Sequence, residues 1–197
     1  MPELTVVVPT ITGREESLQR TLDSYEATLE GVDSEIVVIQ DAPTWPDACN
    51  LGFKKAEGDV IHFTADDLEA LPGWWDHASK ALQERPNELP APRVYDFLPP
   101  PEGRWMNEED GPDGAIPLFT RIPIFTREQG EKIGPWPAIV YYADYWVSEK
   151  ARTLGIETHM VHGYDFVHHW CQIGRVDSKE NMDLAGMQFN QLVKEMK

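Results

Sequence analysis

Residues 4–8 (LTVVV) make a short valine-rich run closed by Pro9, the pattern of a strand buried on both faces of a parallel sheet. The loop Thr10-Ile11-Thr12-Gly13 follows. A helix is expected from Glu15, whose carboxylate and that of Glu16 suit the positive N-terminal end. Leu18, Leu22, Tyr25 and Leu29 fall at i, i+4, i+7 and i+11, one apolar stripe, and Gly31 marks the stop. Residues 35–39 (EIVVI) read as the second strand, with the polar stretch QDAPTWPD directly behind it. Residues 48–56 read as a helix ended near Gly58, and residues 60–63 as the third strand, with Asp66 and Asp67 just beyond. The turn Leu71-Pro72-Gly73 leads into a helix over 74–83. Strand and helix thus alternate through the first eighty or so residues. That alternation predicts right-handed parallel crossovers and an α/β fold: a Rossmann-like, doubly wound, mostly parallel sheet with flanking helices.

The pattern changes at Pro86. Prolines recur as far as Pro123, including Pro99-Pro100-Pro101, around the acidic stretch NEEDGPDG, and 93–98 and 116–120 are the candidate strands within it. Periodicity resumes with a helix over 127–132, the sequence Gly134-Pro135-Trp136-Pro137, a helix over 144–154 closed by Gly155, and short strands at 156–161 and 164–168. From Lys179 onward the chain reads as a polar amphipathic helix through Met182, Phe189 and Val193. The expected organisation is a single domain over 1–197, with a regular α/β part (1–85), a proline-rich irregular segment (86–125) and a third part (126–197) ending in a helix.

Charge narrows the function. Thirty-four acidic against 17 basic side chains give a formal net charge of −17, which repels phosphate backbones and anionic lipid. Polymeric nucleic acid is therefore a disfavoured partner, while a phosphate-bearing ligand held through a metal ion is compatible. A 41% hydrophobic share with 7 Trp is too apolar for a disordered acidic chain. Two cysteines, Cys49 and Cys171, supply neither a disulfide framework nor a four-thiolate zinc site. MPELTVVVPT lacks the basic and long apolar regions of a signal peptide, and no apolar stretch approaches the ~20 residues of a membrane span, so a cytoplasmic location is expected.

In an open parallel sheet, ligands bind beyond the carboxyl ends of the strands. Thr10, Thr12 and Arg14 follow the first strand, Asp41 the second, and Asp66 with Asp67 the third, so three loops should converge on one crevice. Paired carboxylates there can bridge Mg²⁺ or Mn²⁺ to phosphate oxygens. The competing reading is that the pair caps the next helix. Neither G-x-x-x-x-G-K-[ST] nor G-x-G-x-x-G occurs, which counts against P-loop enzymes and nicotinamide dehydrogenases.

VVVPTITGR, EIVVIQDAPTWPD, CNLGFKKAEGDVIHFTADDLEALPGWW, TREQGEKIGPW and YADYWVSEKARTLG occur in this order over about 1–80 and 119–169. Together they resemble the motifs of the inverting glycosyltransferases of family two, which have the GT-A fold. The resemblance implies a nucleotide-diphosphate sugar donor, UDP-sugar by default, Mn²⁺ or Mg²⁺, a donor half at 1–85 and an acceptor half at 126–197. It puts Pro9, Thr10, Thr12, Arg14, Asp41 and Asp66 on the donor, Asp67 and His168 on the metal, and Asp144 in the place of the general base. Departures stand beside it: Ala65 occupies the first position of D-x-D, Ala143 replaces the Glu of Glu-Asp, and Trp146 the Asp that follows; Gln40 and Cys49 also differ.

The implied chemistry is one in-line displacement at the anomeric carbon, with Asp144 taking the proton of an acceptor hydroxyl. The acceptor itself is not legible. His159, His162, His168 and His169 lack the spacing of a zinc motif, and His168 and His169 should face opposite ways on a strand. Trp136, Tyr141, Tyr142, Tyr145 and Trp146 suit either a sugar platform or core packing, and Trp74-Trp75 suits core. Two other functions compete: a sugar nucleotidyltransferase, to which TITGR offers little of the expected glycine-rich loop, and a non-catalytic nucleotide-sugar or carbohydrate-binding module, which Ala65 and Ala143 favour.

Overall fold

The computed structural model describes residues 2–96, 104–105, 120–139, 143–161, 163, 165–169 and 179–196. Its centre is strand β1 (Leu4–Thr10), every residue of which is buried. Parallel neighbours explain this: β2 (Ser34–Gln40) pairs along its whole length and β3 (Val60–Phe63) on the other side, with Val7 opposite both Val37 and Phe63. The antiparallel β8 (Ile124–Thr126) completes the order β2-β1-β3-β8. Between these strands run α1 (Glu15–Thr28) and α2 (Trp45–Lys55), the expected crossovers. The side chains of β1 alternate between two cores. Leu4, Val6 and Val8 pack with Tyr25, Leu29 and Trp74, whereas Val7 packs with Ala48, Cys49, Phe63 and Phe125. The sheet is therefore covered on both faces, as the sequence pattern predicts.

The first half follows the expected boundaries closely. β1 and β2 each run on to include Thr10 and Gln40. α2 begins three residues ahead of expectation because Thr44 caps it, its hydroxyl accepting from the Asp47 amide at 3.2 Å, with Pro46 in the first turn. α3 (Trp74–Glu84) starts after the Leu71-Pro72-Gly73 turn, and Trp74 and Trp75 are core residues.

Later strands form two further small sheets. β4 (Leu68–Ala70), β10 (Phe166–His168), β6 (Val94–Asp96) and β7 (Arg104–Trp105) make one, and β5 (Glu88–Ala91) pairs in parallel with β9 (Glu157–Met160). β6 lies within the expected 93–98, and β9 and β10 within their expected segments. Thr120 belongs to no strand, and 116–119 lie outside the described residues, as do NEEDGPDG, Pro99–Pro101, Tyr141, Tyr142 and His162. The remaining helices are α4 (Arg127–Ile133), α5 (Ala143–Thr153) and α6 (Lys179–Glu195). Trp136 and Trp146 are buried, so core packing is the outcome for these two aromatics. Among the described residues no helix is long and apolar enough to cross a membrane.

One polar side chain sits in the middle of this packing. His62 on β3 is fully buried between Trp74 and Phe166, with Nε2 2.7 Å from the Tyr25 hydroxyl and Nδ1 3.3 Å from the Pro123 carbonyl oxygen. Desolvation pushes its pKa down to about 3, against the small opposing effect of the Pro123 carbonyl. An unfolded histidine takes its proton near 6.5, so below that pH the unfolded chain binds the extra proton and stability falls. Lowering the pH from 7 to 5 should cost roughly 2 kcal/mol through this residue alone. Urea unfolding of the wild type and His62→Gln at both pH values checks it, the stability gap between them narrowing by about that amount at the lower pH.

Candidate functional site

The loop from β3 into β4 carries Thr64, Ala65, Asp66 and Asp67. α3 begins only at Trp74 and its N-cap is Gly73, so the carboxylate pair is not a helix cap. Both carboxylates turn toward the end of β1. Thr10 Oγ1 donates to Asp66 Oδ2 at 2.6 Å, and Arg14 Nη1 lies 3.0 Å from Asp66 Oδ1. Arg14 Nη2 donates to Asp67 Oδ2 at 2.7 Å. Asp66 is essentially inaccessible and Asp67 nearly so, which makes the guanidinium the charge that lets both carboxylates stay there. Desolvation raises the Asp66 pKa, partly offset by the Thr10 hydroxyl and Arg14. At Asp67 desolvation is outweighed by His168 and Arg14, which hold the carboxyl well below its usual range.

His168 reaches this point from β10, its Nε2 3.5 Å from Asp67 Oδ2. The strand is fixed at both ends. The Asp165 carboxylate accepts from the Arg93 amide at 3.0 Å and meets His77 Nδ1 at 2.9 Å, while the His169 amide donates to the Asp67 carbonyl at 2.8 Å. The His169 ring goes elsewhere, to Glu69 Oε2 at 2.6 Å, so the two adjacent histidines part as expected.

Asp67 and His168 open into a cavity of about 170 Å³ that also takes in Asp144, Arg121, Trp45 and Thr64, with Ala65, Leu68, Val94 and Ile122 as its apolar part. Asp144 lies in the first turn of α5, with its Oδ1 accepting from the Tyr145 amide at 2.9 Å. Desolvation raises its pKa, and the positive charge of Arg121 opposes that rise. Asp67, His168 and Asp144 therefore share one cavity, with Thr10, Arg14 and Asp66 joined to it through hydrogen bonds and ion pairs. Thr12 and Asp41 pair instead with each other at an exposed position: the Thr12 amide and hydroxyl donate to the two Asp41 oxygens at 2.7 and 2.8 Å. Asp41 has a left-handed φ of 55°, and those donors lower its pKa. Pro9 is buried within β1 opposite Ile39.

Trp45 and Arg121 are polar members of the cavity wall that escaped the sequence reading. Trp45 stands in the polar stretch after β2, where the strand-end argument could have found it; its Nε1 donates to the Thr64 carbonyl at 3.1 Å. Arg121 precedes β8 in the proline-rich segment, and no periodicity marks it.

Among the described residues no three His, Cys, Asp or Glu side chains form a ready-made metal cage. The Asp67 carboxylate and the His168 imidazole are nevertheless an O and an N donor 3.5 Å apart on the wall of one cavity. A Mg²⁺ or Mn²⁺ site of this kind commonly uses one or two protein ligands and completes its shell with phosphate oxygens and water. The donor set fits such an ion when a diphosphate accompanies it.

No protein-family model matches the chain, and no curated protein sequence is significantly similar to it. Solved structures are similar in fold. A crystal structure of Staphylococcus aureus TarS 1-349 superposes with a TM-score of 0.68 at 12% identity, covering 98% of this chain and 65% of that one. A longer S. aureus TarS structure gives 0.64 at 12% identity, covering 95% of this chain and 39% of that one. The chain thus spans less than two thirds of the proteins it resembles. At this identity the likeness establishes the fold alone, an α/β fold similar to that of TarS.

Arg14→Met would take the guanidinium from two adjacent buried carboxylates, leaving His168 beside Asp67 alone. The expected loss at pH 7 is about 3–5 kcal/mol. Without the guanidinium Asp66, whose pKa burial already raises, should titrate higher still, so part of the loss returns as the pH falls from 7 to 5. Urea unfolding at the two pH values reads this directly; a variant equally stable at pH 7 would show that the ion pair carries no stability.

Proposed function

We propose that the chain is a glycosyltransferase moving a sugar from a nucleotide-diphosphate donor, of the UDP-sugar class, to an acceptor hydroxyl with inversion. The observation that supports it most is the meeting of Asp67, His168 and Asp144 in one cavity beyond the ends of parallel strands, on a fold similar to that of TarS, a glycosyltransferase. In this reading residues 1–85 serve the donor and 126–197 the acceptor. Thr10, Arg14 and Asp66 fix the donor side, and Trp45 lines the cavity beside them.

Asp144 is the base. It accepts the hydroxyl proton as the acceptor oxygen bonds to the anomeric carbon, while the bond from that carbon to the diphosphate oxygen breaks and its electron pair leaves with the diphosphate. Burial suits the residue to this role by making the carboxylate more basic, a rise that the charge of Arg121 opposes. Leu68, Val94 and Ile122 give the cavity its apolar wall. Mn²⁺ or Mg²⁺ on Asp67 and His168 would supply Lewis-acid neutralisation of the departing diphosphate. Arg14 lies beside that position with a second positive charge.

A non-catalytic nucleotide-sugar-binding module is the second reading, favoured by Ala65 in the cavity and by Ala143 at the start of α5. Thermal unfolding with UDP, GDP, CDP and dTDP, each with and without Mn²⁺, tests the donor. A nucleotide at a hundred times its Kd should add roughly 2.7 kcal/mol of stability, and only with the metal. Asp144→Asn separates the two readings. It should leave that stabilisation intact and lower turnover by about 10²–10⁴. Stabilisation with no transfer by either protein would favour the binding module; no stabilisation by any nucleotide would overturn the donor assignment.

A further inference from the structure

Asp66 and Asp67 are adjacent in sequence, their side chains are 1% and 10% exposed, and one guanidinium meets both. It does so with a different nitrogen on each: Nη1 3.0 Å from Asp66 Oδ1 and Nη2 2.7 Å from Asp67 Oδ2. Asp66 has both oxygens engaged, since Thr10 Oγ1 holds Oδ2 at 2.6 Å. On Asp67 the oxygen that faces His168 at 3.5 Å is the same Oδ2 that Arg14 holds. A divalent cation between Asp67 and His168 would therefore meet a guanidinium already on its carboxylate oxygen, with like charges a few ångströms apart in a poorly hydrated place.

We infer that Arg14 is the resident counter-ion of the Asp66–Asp67 pair and competes with a divalent cation for it, so that the cation binds well only together with a diphosphate. The inference rests on the donor-site reading above for its last clause and on the ion-pair geometry alone for the rest. A diphosphate resolves the conflict because its oxygens offer the planar fork of Arg14 a new anionic partner of matching shape. Once the fork turns to the phosphates, the carboxylate is released to the cation. The coupling is reciprocal: whatever factor the nucleotide adds to cation affinity, the cation adds to nucleotide affinity. Arg14 is in these terms a positioning residue that blocks occupation by the metal alone and favours arrival of metal and nucleotide together.

The test is Mn²⁺ binding to the full chain without nucleotide, followed by electron paramagnetic resonance of the free ion, for the wild type, Arg14→Met and Arg14→Lys. Arg14→Met should bind Mn²⁺ at least about tenfold more tightly than the wild type, and should gain more thermal stability from it. Saturating UDP should tighten Mn²⁺ binding by about tenfold in the wild type and much less in Arg14→Met. Arg14→Lys keeps the charge but reaches only one carboxylate at a time, so it should fall between the two and serves where the Met variant does not fold. Mn²⁺ affinity in the folded variants equal to or below that of the wild type overturns the inference. Failure of UDP to bind any of the proteins would instead remove the donor reading, and the comparison with metal alone would still decide whether Arg14 competes.

Discussion

The guanidinium of Arg14 is the charge on which the arrangement of the site depends. Two neighbouring carboxylates out of water are tolerable only with a cation in hydrogen-bonding contact, and each lies within 3.0 Å of Arg14. This one contact ties the loop after β1 to the loop after β3, across more than fifty residues of chain. Thr10 strengthens the tie from the last residue of β1, and His168 adds the tip of β10 from the second sheet. Such a meeting requires the strands to be fixed first. The two cores do that, since β1 sends alternate side chains into each and is buried throughout. Apolar packing positions the loops, and the ion pair then selects their conformation.

What the sequence made legible follows from length and period. α1, α2, α3 and α5 are long enough to show a helical stripe or clear end signals, and β1, β2 and β3 stand between them as apolar runs. Strand order then places Asp66 and Asp67 at a crevice without family knowledge. The other sheets were harder to read because β4, β6, β8 and β10 have three residues each, too few to express alternation, and their partners lie far away in sequence. β5 carries Pro90 and is held by pairing with β9, a tertiary effect with no local signal. Arg121 shares that fate: pairing of β8 with β3 and the bond from the Thr120 amide to Ser148 of α5 hold its segment near Asp144. The three loops of the expected crevice are linked through the end of β1: Asp41 takes both donors of Thr12 and gives its amide to the Thr10 carbonyl at 2.9 Å, while the Thr10 hydroxyl goes to Asp66.

The cavity shows why burial alone does not determine the behaviour of a carboxylate. Asp67 and Asp144 line the same space and both are desolvated, yet their acidities move in opposite directions. Asp67 has Arg14 and His168 on its oxygens, and direct hydrogen-bonded charge overcomes the cost of leaving water. Asp144 feels Arg121 and the backbone amides at the start of its helix, and desolvation prevails. A pair of groups driven apart in this way can divide two tasks at one pH, one staying charged while the other exchanges a proton. The chain carries a net charge of −17 and nevertheless brings Arg14, Arg121 and His168 to this one place. A negatively charged ligand would approach against the field of the whole molecule, so its binding must rest on short-range contacts inside the cavity. Such contacts are strongest where water is scarce, so an anionic ligand would depend on Arg14, Arg121 and His168 close by and not on the long-range field of the protein.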